Sequence, residues 1–212
     1  MNKKRYFYGR VQSRKLSLEK KKSLKKFLKK QVFDKVFFLK KKKIIIDIGA
    51  GTGENIFYLS KKNVMSKLIA IEPFKNGAAN IASYCLDKNI KNIYLFPFVF
   101  QKFRNKFKNY YFNRCYIYFP DPWPKKKHKK RRLVDYDFLK DLISHCKPNG
   151  SVFFASDNVD YFEAVCNYVN LLKNDIKITS KNYKKTSTII TKYHFKALKL
   201  KNNVNFLKID KV

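Results

Sequence analysis

From residue 44 onward, short β-branched or aromatic runs alternate with stretches that suit helices. Strands and helices that alternate in this way form right-handed βαβ units, with helices on both faces of a mostly parallel sheet. We therefore predict an α/β fold with a doubly wound sheet. The predicted strands are 44–48, 68–72, 93–96, 115–119 and 152–155, and the predicted helices are 54–62, 76–88, 136–146 and 160–173. Two later runs, 188–195 and 204–209, predict a C-terminal antiparallel hairpin.

Residues 1–43 differ from this pattern and read as a basic N-terminal extension. Leu24, Phe27, Leu28 and Val32 recur near helical spacing, which predicts a helix with one apolar face. Such a helix could cover the core or contact RNA, and the sequence leaves both possibilities open. No Gly/Ser-rich or Pro-rich linker interrupts the remainder, so we predict one domain over 44–212.

The chain carries a formal net charge of +34 over 212 residues, which excludes an acidic or neutral binding module. A field of this sign attracts nucleic acid, because each neutralised phosphate releases counterions. Nucleic acid is favoured as partner over a membrane surface. The sequence has no run of 18 apolar residues and no signal-peptide core, so we expect a soluble, cytoplasmic protein. The cysteine and histidine spacings predict neither a metal site nor a disulfide framework.

A glycine-rich turn follows the first predicted strand, where residues 47–54 read DIGAGTGE. Glycines at a strand-to-helix junction let the backbone approach a cofactor closely. Glu54 stands where a dinucleotide-binding loop needs its third glycine, and its carboxylate would repel a pyrophosphate. A cationic cofactor such as S-adenosylmethionine fits better, and Glu72 ends the next strand where an acid accepts hydrogen bonds from ribose hydroxyls. The predicted cofactor-binding residues are Asp47, Gly49, Gly51, Gly53 and Glu72.

The most specific segment follows the fourth predicted strand, where residues 119–132 read FPDPWPKKKHKKRR. In an open α/β sheet, ligands bind beyond the carboxyl ends of the strands. Asp121 and Trp123 are therefore expected to face a ligand, with seven cations and His128 directly behind them. Packing of Trp123 within its own loop is favoured over stacking on a base.

Residues 120–132 resemble the P-D-P-W-x-K-x-x-H-x-K-R-R signature of the bacterial tRNA (guanine-N7)-methyltransferases, the TrmB family. Tyr8-Gly9-Arg10, Lys147-Pro148-Asn149-Gly150, Ala155-Ser156-Asp157-Asn158 and Thr191-Lys192-Tyr193 follow in the order of that family. The resemblance implies a Rossmann-like methyltransferase domain that transfers the methyl of S-adenosylmethionine to N7 of guanine-46 in the tRNA variable loop.

The resemblance also implies roles for individual residues. Asp121 would be the catalytic acid and would lie near the cofactor, while Asp47 and Glu72 would bind the cofactor. The implied substrate-binding residues are Lys125, Asp157, Thr191, Lys192, Tyr193 and His194. Two positions depart from the family: Val99 replaces an acid expected at the adenine end of the cofactor, and His194 replaces a Glu that contacts guanine.

Guanine N7 carries a free lone pair and no proton, so attack on a methyl group needs no general base. Positioning supplies most of the catalysis. Asp121 is therefore expected to orient guanine and to favour the positive charge that develops on its ring.

Two alternatives remain open at the level of sequence. One is a methyltransferase acting on exocyclic amino groups, although Asp121-Pro122-Trp123 has a single proline where such enzymes have two. The other is a non-catalytic RNA-binding protein on the same scaffold, which the departures at Val99 and His194 favour.

Overall fold

The computed structural model describes residues 9, 15–31, 33, 35–38, 42–182, 191–200 and 203–212. The chain divides into two compact units, a first unit over Arg10–Tyr111 and a second unit that comprises Met1–Gly9 and Phe112–Val212. The predicted contributions of Tyr8, Arg10 and Val32 lie outside the described residues. Within those residues, no helix is long and apolar enough to span a bilayer.

The first unit contains three parallel strands and the helices that connect them. In chain order these are β1 (Ile44–Ile48), α2 (Glu54–Lys62), β2 (Lys67–Ile71), α3 (Lys75–Asp87), β3 (Ile93–Phe96) and α4 (Phe100–Lys106), preceded by α1 (Leu18–Lys30) and a 3₁₀ turn, Lys35–Phe38. β2 pairs with both β1 and β3, and all five residues of β1 and of β2 are buried. Strands buried on both faces read as continuous apolar runs, which is why residues 44–48 were recognisable from sequence.

Helix α1 packs against α3, so the predicted extension helix does cover the core of the first unit. The Ser17 side chain accepts a hydrogen bond from the Lys20 N–H and starts the helix, and Phe27 is buried. Burying one such ring contributes roughly 2 kcal/mol, while the exposed lysines of the other face stay in water. At the end of α1, the side-chain amide of Gln31 binds both backbone groups of Leu95 in β3, at 2.7 and 2.8 Å.

The described residues of the second unit form one parallel and two antiparallel strand pairings. Its elements are β4 (Phe112–Tyr118), a 3₁₀ helix (Lys126–Arg131), α5 (Tyr136–Ser144), β5 (Cys146–Ser156), α6 (Val159–Leu172), β6 (Ile178–Asn182), α7 (Lys192–Lys199) and β7 (Asn205–Lys211). β4 runs parallel to β5, and β7 runs antiparallel to both β5 and β6. The predicted mostly parallel α/β fold with antiparallel C-terminal strands is confirmed.

The predicted first strand of the terminal hairpin, residues 188–195, is wrong. Residues 188–190 lie outside the described part of the chain, and 192–195 belong to α7. The Thr191 hydroxyl accepts a hydrogen bond from the His194 N–H at 3.2 Å, which starts a helix where β-branched residues had suggested a strand. β7 instead pairs with β6, a half-exposed strand of mixed polarity that sequence pattern did not reveal.

Candidate functional site

The glycine turn of the first unit connects β1 to α2 in a backbone conformation that favours glycine. Gly49, Gly51 and Gly53 have φ angles of +78°, +60° and +101°. The N–H groups of Gly49 and Ala50 both donate to the carbonyl of Ile71, at 2.8 and 3.3 Å, which ties the turn to the end of β2. The predicted glycine positions therefore form one turn at the carboxyl ends of two neighbouring parallel strands.

Glu72 follows β2 directly and holds this turn with its carboxylate. It is 5% exposed, and its two oxygens accept hydrogen bonds from the N–H groups of Gly51 at 2.5 Å and Phe74 at 2.7 Å. Hydrogen bonds to an ionised acceptor are shorter and stronger than neutral ones. Glu72 thus fixes the glycine turn.

Asp47 lies within β1 and is 2% exposed. Its carboxylate accepts a hydrogen bond from the side-chain amide of Asn55 at 3.1 Å. Asp47 and Glu72 place two buried acids next to the glycine turn, an arrangement that suits a ligand with positive charge and hydroxyl groups.

Three further residues shape the turn, and sequence analysis did not single them out. Asn55 orients Asp47, and Asn80 donates to the Thr52 carbonyl at 2.8 Å. A Cβ on Gly77 would lie 2.4 Å from the Gly51 carbonyl oxygen, so only glycine lets α3 approach so closely. The contacts of Asn80 and Gly77 join residues far apart in the chain, and neither spacing nor composition signals any of the three.

In the second unit, the segment 119–123, called the Asp121 turn below, follows β4. Phe119 and Trp123 have φ angles of +54° and +44°, and the Phe119 N–H donates to the Ala155 carbonyl at 2.8 Å. Asp121 is exposed at its surface, yet desolvation by the surrounding protein raises the pKa of its carboxyl.

The eight residues 125–132, called the basic run below, include exposed lysines and cations that bind an acid of the protein. Lys125, Lys126 and Lys127 are exposed at the start of the 3₁₀ helix. Lys129 and Arg132 both bind the carboxylate of Asp160, each at 2.5 Å, and their hydrogen bonds lower its pKa. Part of the positive charge is therefore bound within the protein, and part faces solvent.

Trp123 packs within its own loop, as predicted. Its ring contacts His128 edge-on at 5.8 Å between centroids, and the Arg131 guanidinium lies 5.0 Å from its centre. Desolvation, followed by the charges of neighbouring Arg and Lys side chains, lowers the pKa of His128. This environment therefore favours the neutral imidazole over the protonated one.

The remaining predicted substrate residues lie directly before α6 and at the start of α7, in the second unit. Asp157 sits between β5 and Asn158, whose side chain caps α6, and Thr191, Lys192 and Tyr193 begin α7. The His194 ring stacks on Phe119 at 5.8 Å, which brings the start of α7 to the Asp121 turn.

Val99, the other departure, precedes α4 in the first unit. Among the described residues, no group of three His, Cys, Asp or Glu side chains could hold a metal ion.

The chain is similar in sequence to several known methyltransferases. Residues 41–207 match the family model Methyltransf_4, described as "Putative methyltransferase". A bifunctional methyltransferase of Rickettsia felis is 35% identical over 188 residues, 87% of this chain and 36% of that protein. A tRNA (guanine-N(7)-)-methyltransferase of Wolbachia pipientis is 33% identical over 169 residues, 80% of this chain and 75% of that protein. The chain thus spans less than two fifths of the first bifunctional relatives that it matches.

Solved structures with the same fold are more distant in sequence. A methyltransferase of Streptococcus mutans, solved in complex with SAH, superposes with a TM-score of 0.57 at 17% identity, covering 93% of this chain and all of that one. At this identity the likeness establishes a Rossmann-like fold and nothing further.

Proposed function

This chain belongs to the TrmB family of methyltransferases, and from that membership we propose that it methylates N7 of a guanine in tRNA with S-adenosylmethionine as donor. The proposal extends to the variable-loop position, guanine-46, and to a cytoplasmic location. The observation that carries it is the Asp121 turn, an acid on a strained turn followed at once by the exposed lysines of the basic run.

The residues around the glycine turn fit S-adenosylmethionine. Asp47 and Glu72 are buried acids, and a Cβ on Gly49 would meet no atom within 4 Å. Buried carboxylates favour an ammonium or sulfonium group and accept hydrogen bonds from ribose hydroxyls. We assign cofactor binding to Asp47, Gly49, Gly51, Gly53 and Glu72, with Asp121 near the cofactor.

When bound, S-adenosylmethionine supplies an electrophilic methyl group on a sulfonium sulfur. Asp121 orients the guanine ring through its Watson-Crick edge and favours the positive charge that appears on the imidazole part of the base. No residue has to remove a proton, because N7 carries none. The chain's contribution is therefore position and charge.

Substrate contacts are assigned to residues of the second unit. Lys125 and its two exposed neighbours are suited to phosphates, since they are free to exchange counterions. Asp157 and the start of α7, Thr191, Lys192, Tyr193 and His194, are assigned to the tRNA nucleotides around the target base. The stack of His194 on Phe119 supports this assignment, because it links α7 to the Asp121 turn.

Incubation with methyl-labelled S-adenosylmethionine and total tRNA, followed by nucleoside analysis, tests the proposal. We expect the label in 7-methylguanosine, and we expect it to vanish with a tRNA transcript in which guanine-46 is replaced. Label in a nucleoside methylated on an exocyclic amine would contradict the proposal, as would the absence of label under conditions where the protein binds both tRNA and the donor.

A further inference from the structure

Arg132 is the more buried of the two cations of the basic run that bind Asp160. Its side chain is only 7% exposed, whereas that of Lys129 is 42% exposed. Guanidinium groups are rarely buried unless their donors are paired. Arg132 is therefore built into the protein rather than offered to solvent.

Three neighbours surround the Arg132 guanidinium within the second unit. Its Nε–H donates to the Pro122 carbonyl at 2.9 Å, and one terminal nitrogen donates to Asp160 at 2.5 Å. Its plane lies 4.6 Å from the ring centre of Tyr161, which is fully buried. The Tyr161 hydroxyl accepts the Val134 N–H at 2.8 Å, and the Asn158 side chain accepts the Tyr161 N–H, so this ring is itself fixed.

The hydrogen bond from Arg132 to the Pro122 carbonyl lies within a strained segment of backbone. Phe119 and Trp123, at the two ends of the Asp121 turn, both have φ in the left-handed region. Each such conformation costs about 1–3 kcal/mol for a residue with a side chain, and it persists only where surrounding contacts hold it. The Arg132 bond to Pro122 reaches the residue directly after Asp121.

We propose that Arg132 is a positioning residue that holds the Asp121 turn in the conformation needed for methyl transfer and that it makes no phosphate contact with RNA. This inference rests on the proposed role of Asp121. Asp160 and Tyr161, both on α6, anchor the Arg132 guanidinium, so the turn is fixed to a helix rather than to the exposed lysines of the basic run.

The substitution Arg132→Lys separates positioning from charge. Lysine keeps the positive charge but lacks the planar fork that binds Pro122 and Asp160 together and stacks on Tyr161. Asp160→Asn is the second variant, since it weakens the anchor from the other side. Lys140→Ala is the matched control: Lys140 pairs with Asp175 at 3.1 Å and lies 5.8 Å from the Tyr136 ring centre, on the surface of α5.

Trp123 gives a direct readout, because it is the chain's single tryptophan and it ends the Asp121 turn. In Arg132→Lys and Asp160→Asn we expect a red shift of the emission and stronger quenching by acrylamide, at a thermal midpoint close to that of the wild type. The control is expected to leave the emission unchanged. Unchanged emission in both anchor variants would overturn the proposal.

Kinetics supply the second readout. A misplaced turn is expected to lower kcat about 10-fold to 100-fold in Arg132→Lys, while KM for tRNA and the salt dependence of binding stay near wild type. Weaker tRNA binding with an unchanged kcat would show that the guanidinium of Arg132 contacts phosphate, which contradicts the proposal. If the wild-type protein methylates no tRNA guanine, the proposed function fails, whereas the fluorescence result still decides whether Arg132 holds the turn.

Discussion

The acids beside the glycine turn and the acid of the Asp121 turn lie in opposite environments. Asp47 and Glu72 are almost fully buried, and both already accept hydrogen bonds from the protein. Asp121 is exposed and lies on a strained turn. A small cofactor gains little from contacts outside its pocket, so its site has to be built in advance, whereas a folded RNA brings many contacts of its own. We expect substitutions in the two regions to affect different measured quantities.

The largest expected effect is that of Asp121→Ala on turnover. Loss of one group that acts on developing charge costs about 100-fold in kcat, and the variant should still bind tRNA through the basic run. Single-turnover kinetics and a tRNA binding isotherm measure the two quantities separately. Asp137→Ala, an exposed acid on α5, is the control. Equal losses in turnover and in tRNA affinity would show that Asp121 only binds.

Next in size is the effect of removing two exposed cations, Lys125→Ala with Lys126→Ala. We expect about a tenfold weaker tRNA affinity, and the slope of log affinity against log salt should become shallower by about 2. The affinity for S-adenosylmethionine should be unaffected. The control is the pair Lys61→Ala with Lys62→Ala on α2, which removes the same charge. If the control pair weakened tRNA binding by the same amount, the basic run would contribute only through the net positive charge of the protein, and the predicted phosphate contacts would be refuted.

Smaller effects are expected around the glycine turn. Here the steric cost of an added Cβ and the cost of a left-handed backbone can be measured separately. Gly77→Ala places a Cβ 2.4 Å from the Gly51 carbonyl and should lower the free energy of unfolding by about 1–3 kcal/mol, with weaker cofactor binding. Gly49→Ala meets no atom, so its cost is the left-handed backbone alone, about 1 kcal/mol. Denaturant unfolding and calorimetry compare the two. A larger loss of stability in Gly49→Ala would refute this account of Gly77.

The smallest effect is a displacement of the acid limb of the pH profile. Desolvation raises the pKa of Asp121 above its ordinary value of 3.8, so its charge is lost at a higher pH as the solution is acidified. Turnover that depends on the carboxylate should therefore begin to fall above the usual range of aspartate. Asp121→Asn should abolish this limb and leave a flat profile there. An acid limb that survives in Asp121→Asn would assign it to another group.

The raised pKa of Asp121 also affects the free energy of unfolding, but with the opposite pH dependence: turnover falls as the pH is lowered, whereas this contribution to stability falls as the pH is raised. Because the folded state disfavours the ionised Asp121, its neutral form contributes stability that is present below pH 3.8 and is lost as the pH rises through the folded pKa. Unfolding curves of the wild type and Asp121→Asn across this window measure it. The partly exposed carboxyl makes this contribution small.

Sequence pattern located the elements that are buried on both faces or strongly amphipathic. The predicted strand 44–48 and helix 54–62 agree with β1 and α2, because continuous apolar runs and glycine turns are local signals. The strand predicted at 188–195 failed where a single cap, Thr191, outweighs β-branched composition. β6 and α4 carried no comparable pattern and were not predicted.

Sequence identified the residues of the family signature, such as Asp47, Glu72 and Asp121, because they are contiguous or directly follow a strand. It did not identify the residues that hold them in place. Gly77 lies against the Gly51 carbonyl and Arg132 binds the Asp160 carboxylate, partners that are distant in the chain, and only the folded backbone brings them together. The pairing of Asn55 with Asp47 spans only eight residues, yet no sequence pattern signals it.

By itself, the sequence determined a doubly wound α/β fold with a glycine turn, an acidic turn and a basic run. Each of these features is a pattern of residues that are adjacent in the sequence. Tertiary structure decided which cations of that run are held by Asp160, and which acids are buried. The physical reason is that burial and hydrogen bonding depend on which residues are close in space, and the sequence alone does not specify those contacts.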